Sequence, residues 1–206
     1  MNIRHLPGQE RVARPWRNSG GITRDIAVFP DGSDDDSFLW RASIATVTDV
    51  GQFSTWPGVD RTLLVLRGQL VLAVEGIGER RLDENSPTIA FSGEQPVSAD
   101  PQGGPCRVLN LMVRRHRAWI RLKRCAANFP VTAFRTLVLA TQSTMVGVNG
   151  LSFRLDEDDA LMLGPDHSQI LEIEQSAIVV EFDTSNNAVN RASHASKANR
   201  FSGSYL

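Results

Sequence analysis

The chain has little of what usually announces a function. Only two of its 206 residues are cysteines, Cys106 and Cys125, in neither a C-x-x-C pair nor a small secreted framework, so both read as reduced core residues of a reducing compartment. No apolar run approaches the roughly 18 residues that would span a membrane, and the start, MNIRHLPGQERVARPW, has no apolar signal segment. A cytoplasmic protein without membrane partners is the expectation. Basic charge is not in excess: the formal net charge is −1 and the pI about 6.4, which argues against nucleic acid as a partner. There is no phosphate-binding G-x-x-x-x-G-K-[ST], no nucleophile elbow and no visible Ser-His-Asp grouping. Helical periodicity is almost absent. Only residues 116–128 carry it, with Trp119, Leu122 and Ala126 at helix spacing on a basic segment that reads as a solvated connector.

Short β-branched and apolar runs punctuated by glycine and proline are what the chain does have, and a chain of this length buries roughly 70% of its unfolded surface without staples. The densest stretch is 40–74. Residues 38–47 alternate, which puts Arg41 and Ser43 on one face; a loop, Gly51-Gln52-Phe53-Ser54-Thr55-Trp56-Pro57-Gly58-Val59-Asp60-Arg61, follows. Runs 62–66 and 70–74 flank Arg67-Gly68-Gln69, which reads as a hairpin or a bulge. Residues 92–105, with three prolines and three glycines, read as loop before a strand over 106–113. Asp31-Gly32-Ser33-Asp34-Asp35-Asp36-Ser37 lacks the ligand spacing of a calcium loop and reads as a solvated hairpin.

The second half echoes the first. Arg61-Thr62-Leu63-Leu64-Val65-Leu66 matches Arg135-Thr136-Leu137-Val138-Leu139-Ala140, and Arg81-Leu82-Asp83-Glu84 matches Arg154-Leu155-Asp156-Glu157, at separations of 74 and 73 residues. A duplicated β unit follows, with Arg135 in the place of Arg61. Nothing in the second copy matches the Phe53-Ser54-Thr55-Trp56-Pro57-Gly58 loop, so one half is expected to be functional and the other structural. Duplicated units of short strands suggest a barrel or jelly roll, hence an all-β chain of two jelly-roll-like barrels with little helix, related to cupins. The expected division is a pocket-bearing barrel over 1–115, a connector over 116–130, a shorter β unit over 131–183 and a disordered tail over 184–206.

Jointly, Pro15-Trp16-Arg17-Asn18-Ser19-Gly20-Gly21-Ile22-Thr23, Trp40-Arg41-Ala42-Ser43, Gly51-Gln52-Phe53-Ser54, Pro57-Gly58-Val59-Asp60-Arg61 and Asn110-Leu111-Met112 resemble the HutD/Ves family over about residues 2–183. Two positions depart: Ser19 stands where that family usually begins a glycine triplet, and Val108 where an acidic residue often stands. The resemblance implies a bicupin fold and a role associated with histidine utilisation.

Many cupins bind a metal through an H-x-H pair, a glutamate and a later histidine. Here His5, His116, His167 and His194 are isolated, and Ser54 and Trp56 stand where the pair is expected, so no metal and no cofactor are expected. What remains is a polar, aromatic pocket with a cation. Arg61 opens a strand at a barrel mouth, where a guanidinium can grip a carboxylate as a bidentate fork; the alternative is a structural ion pair with Asp60, Asp25 or another local carboxylate. Asn18, Thr23, Arg41, Ser43, Ser54 and Asn110 are the candidate polar partners, and Phe53, Trp56 and Met112, with Trp16 and Phe91, the candidate walls. The expected partner is a small anionic metabolite such as urocanate or a formylated or formiminated glutamate. Missing nucleophile, base cluster and metal set favour a sensor or regulator over a metal-free isomerase or hydrolase; a protein-interaction module is the third reading. An exposed barrel edge would allow a homodimer.

Overall fold

Alternation along 40–47 puts Trp40, Ala42 and Ile44 on one face and Ala45 and Val47, with Arg41 and Ser43, on the other, and the two faces enter different cores. The same logic runs through the whole computed structural model, which describes residues 2–16, 19–164 and 169–184. In chain order the first half contributes β1 (Ile3–Leu6), β2 (Ala13–Pro15), β3 (Gly21–Phe29), β4 (Trp40–Val47), β5 (Gly51–Gln52), β6 (Val59–Val74), β7 (Gly78–Leu82), β8 (Ile89–Ser92) and β9 (Val97–Arg114). The second half contributes β10 (Ala118–Cys125), β11 (Phe129–Val131), β12 (Arg135–Ala140), β13 (Thr144–Val148), β14 (Leu151–Leu155), β15 (Ala160–Leu163), β16 (Gln169–Ile173) and β17 (Ala177–Thr184). The chain is nearly all-β; a single 3-10 turn at Gly8–Glu10 is the only helical element among the described residues.

Two long strands organise the first half. The first part of β6 pairs with the last part of β9, and the second part of β6 with the first part of β9. The register shifts at Arg67, and Gly68, with φ +90°, lets β6 bend there. Arg67-Gly68-Gln69 is therefore a bulge inside one strand rather than a hairpin. The bend folds the sheet into two leaves. One carries β3, β4 and β8, the other β5 and β7. Leu63, Val65, Ala45 and Val47 of one leaf meet Leu70, Leu72, Val74, Leu82 and Ala99 of the other.

In the second half a five-stranded sheet, β1-β15-β12-β17-β10, lies against a four-stranded one, β11-β16-β13-β14. Val138, Ala140, Leu161 and Val179 face Val146, Val148, Leu155 and Leu171 across that core. A third core forms the seam between the halves, where Ala42, Ile44, Leu64, Leu109 and Leu111 pack on Leu137, Leu139, Met162, Val180 and Phe182. The chain's first strand belongs to the far half: Ile3–Leu6 pairs with Ala160–Leu163.

Three expectations are corrected. Residues 116–128 do not form a helix; Ala118–Cys125 is a strand paired along its length with β17, with Ile120 and Leu122 packing on the seam and Trp119, on the alternate face, exposed. Residues 92–105 are not loop throughout: β9 begins at Val97, with Pro101 in regular register opposite Leu70 and Pro105 where the pairing is irregular. Arg135 does not occupy the place of Arg61. On β6 the inward residues are Leu63 and Val65, in phase with Arg61, whereas on β12 they are Val138 and Ala140, in phase with Thr136. Arg135 is thus in phase with Leu137 and Leu139, on the seam. Cross-strand partners agree: Arg61 lies between Phe91 and Met112, and Thr136 between Leu163 and Glu181. A one-residue slip in the repeat turned the arginine to the other face.

Asn18, His167 and all of the expected tail beyond Thr184 lie outside the described residues. No helix among the described residues is long and apolar enough to cross a membrane.

Candidate functional site

Register sets polar side chains in rungs across the inward face of the first half. Asp25, Ser43, Asn110 and Leu63 share one rung, and Arg41, Met112, Arg61 and Phe91 the next. Neighbouring strands lie about 4.8 Å apart, so these side chains stand shoulder to shoulder.

Arg61 is at the centre of this face and is only 7% exposed. Its guanidinium carbon lies 4.9 Å from the ring centre of Phe53 and 5.1 Å from that of Phe91. Nε and Nη2 donate to Asn110 Oδ1 at 3.4 and 3.1 Å, and Nη1 donates to the Ser54 carbonyl at 3.3 Å. Both acceptors, Asn110 Oδ1 and the Ser54 carbonyl, are neutral, and two of the three bonds are longer than the usual N–H···O range. Among the described residues no carboxylate comes within ion-pair distance of Arg61. Burial accordingly pushes its pKa down to about 10, well above neutral pH, so the group stays a cation.

The carboxylates once open as partners are taken. Asp60 accepts from Arg115 Nε at 2.7 Å. Asp25 accepts from Arg41 Nε and Nη2 at 2.7 and 3.0 Å and pairs with Arg14 at 3.2 Å. The structural ion pair considered for Arg61 is therefore not formed with either. A carboxylate approaching Arg61 would find an unneutralised fork between two rings, the arrangement that favours short charge-assisted bonds.

The other candidate residues divide. Phe53, the Ser54 backbone, Arg61 and Asn110 come together, with Ser43 one strand away; the buried Ser43 hydroxyl lies 3.5 Å from the Asn110 carbonyl. Met112 is the cross-strand neighbour of Arg61, packed with Phe38 and Val59. Arg41 turns instead to Asp25 and to Asp35, at 3.0 Å. Thr23 Oγ1 accepts the Trp16 indole N–H at 2.7 Å, and Trp16 in turn meets Phe53 edge-on at 5.5 Å. Trp56 packs on Phe38 at 6.0 Å rather than on Arg61.

The residues that hold the roof of the site were hidden in the sequence. Trp56 N–H donates to the Gly93 carbonyl and Gly93 N–H to the Val59 carbonyl, both at 2.7 Å. Glu94 accepts from the Gly58 amide at 2.7 Å and from Arg115 Nη2 at 2.8 Å, and also from Ser92 Oγ. Arg115, then Ser92 and the Gly58 amide, hold the Glu94 carboxyl far below the usual range. Arg114 donates to the carbonyls of Phe38, Pro57, Asp35 and Asp36, tying the acidic loop to the roof. The one available signal, Arg114-Arg115 at a strand end, reads equally as part of a basic connector. A surface depression lined by Gln69, Arg81, Asp83 and Gln102 lies at the other end of β6 and shares no residue with this site. Among the described residues no three His, Cys, Asp or Glu side chains gather as metal ligands would.

A family model described as HutD matches residues 8–180. An uncharacterized 21.2 kDa protein in the hutC 3′ region of Pseudomonas putida is 34% identical over 182 residues, which is 85% of this chain and 95% of that one. Protein Ves of Citrobacter koseri is 38% identical over 132 residues, 63% of this chain; the match spans 64% of Ves, less than two thirds of its length. HutD from Pseudomonas fluorescens SBW25, solved in a formate condition, superposes with a TM-score of 0.79 at 29% identity, covering 89% of this chain and 99% of that one.

Proposed function

The chain belongs to the HutD family, and from that premise and the Arg61 site we propose that it is a metal-independent bicupin that binds a small carboxylate from histidine breakdown. The ligand is of the urocanate or formyl- or formiminoglutamate kind, and the protein acts as a sensor or regulator in the cytoplasm. The two-leaved first half serves as the ligand-binding barrel and the second half as its structural companion. One observation carries the reading: a buried guanidinium between two phenylalanine rings, opposed only by neutral oxygens. A charge in that setting is unfavourable until an anion joins it. The Ser54 carbonyl, at 3.3 Å, is the contact a carboxylate oxygen would most readily replace.

The test is a thermal-shift screen of urocanate, formylglutamate and formiminoglutamate against the wild type and Arg61→Ala. A ligand at about 100 times its dissociation constant stabilises the fold by roughly 2.7 kcal/mol. The wild type is expected to shift and Arg61→Ala not to. No shift with any of the three sinks the reading, a shift that survives Arg61→Ala removes Arg61 from it, and turnover of a ligand seen by mass spectrometry replaces the binder with an enzyme.

A further inference from the structure

Arg135 is the other arginine that opens an Arg-Thr-Leu strand, and the site above makes no use of it. It lies on the seam face of β12, where its guanidinium carbon is 5.1 Å from the ring centre of Phe29 and 5.5 Å from that of Phe134. The two rings meet edge to face at 6.2 Å and form a corner, one wall from each half of the chain. Behind them Phe29 stacks on Trp40 and Trp40 on Phe182, at 5.7 and 4.0 Å, so the corner is backed by a rigid aromatic column.

Most of the other partly buried arginines find oxygen partners: Arg41 takes Asp25 and Asp35, Arg107 takes Glu157 and Asp158, and Arg115 takes Asp60 and Glu94; the more exposed Arg121 takes Glu181. Even Arg61 has Asn110. Among the described residues Arg135 has neither a hydrogen bond nor an ion pair, and its Nε is buried without an acceptor. Ring faces attract the cation but leave the N–H donors, which lie in the guanidinium plane, unsatisfied. A buried donor without an acceptor costs stability, and the group that cancels it best is a planar anion that meets the fork edge-on.

We propose that Arg135, Phe29 and Phe134 form a second binding site, for the carboxylate of a small planar ligand, at the seam between the halves. The site is independent of Arg61: the two arginines open different strands and face different cores. Occupancy joins β3 to β12 through the two rings and tightens the seam.

Arginine Nε–Hε signals read by nuclear magnetic resonance decide the matter. Wild type, Arg61→Ala and Arg135→Gln are titrated with sodium formate, with sodium chloride at matched ionic strength as the control. The signal missing from Arg135→Gln is that of Arg135; if that variant does not fold, Arg135→Lys serves the same purpose. In the wild type this signal is expected to move saturably with formate and not with chloride, and in Arg61→Ala to do so with a midpoint within about 2-fold, as distant sites behave. A movement that chloride reproduces, or none that saturates, overturns the proposal. So does a movement lost in Arg61→Ala, which would make it an echo of the first site. Because Arg135 is read directly, failure at Arg61 leaves this result standing, and the reverse holds as well.

Discussion

Arg61 carries a buried charge that its ring and hydrogen-bond contacts answer only in part. It is 7% exposed, two of its three hydrogen bonds are long, and no charge answers its own among the described residues. Methionine has a similar reach and no charge to desolvate; replacement even of buried ion pairs by apolar side chains is often neutral or stabilising by about 1–4 kcal/mol, and Arg61 has no ion pair to lose. Arg61→Met is expected to hold or raise the melting temperature while abolishing any carboxylate-induced shift. Chemical or thermal unfolding of the two proteins, each with and without ligand, measures both effects. A variant that melts well below the wild type would make Arg61 a structural residue. The second half sharpens the contrast: Glu181, at the position matching Met112, is fully buried yet neutralised by Arg121, with Thr132 donating to its other oxygen. One half leaves its buried charge open and the other closes it.

At the scale of elements, the roof of the site is set by three residues, Ser92-Gly93-Glu94. A Cβ on Gly93 would sit 2.3 Å from the Trp56 carbonyl oxygen and 2.8 Å from that of Val59, both backbone atoms that can move only by shifting the roof. Gly93→Ala is expected to cost roughly 1–3 kcal/mol, as overpacking does, and to weaken carboxylate binding, since Trp56 and Gly58 are anchored there. Unfolding midpoints and ligand titration of this variant check it; an unchanged protein would show that the roof hangs elsewhere. Strands were legible in the sequence because alternation survives translation into structure, as at Trp40 to Val47. The bend at Gly68 was half legible: glycine marked the place, but a hairpin and a bulge share that signature, and only the path of β9 along both parts of β6 separates them. The pairing of Arg115 with Glu94 was not legible, because it depends on how β6 pairs with both β8 and β9. The repeat misled at Arg135 for a related reason: matched letters carry no facing, and a slip of one residue in a period of two reverses it.

On the whole-molecule scale the two halves are bound by more than the apolar seam. The chain begins in the far half's sheet, and the segment that follows is pinned by Asp159, which accepts from the Gly8 amide at 2.7 Å and pairs with His5 at 3.1 Å. Arg107, on β9, reaches Glu157 and Asp158 in the same turn. Burial raises the Asp159 carboxyl, but the Gly8 and Asp156 amides and His5 together outweigh it, so its pKa lies below the ordinary value. A carboxylate depressed in the folded state contributes stability above its unfolded pKa, about 3.9, and that contribution disappears as pH falls through the folded value. Asp159→Asn is therefore expected to lower the neutral-pH stability by about 1 kcal/mol, a fall of roughly 2–4 °C in melting temperature for a chain of this size. It should also lose less than the wild type between neutral pH and pH about 3, because the asparagine has no proton to gain. Melting curves of both proteins across that range test the sign. If the difference between them is the same at every pH, Asp159 acts through its shape alone, and the join between the chain's start and its second half owes nothing to charge.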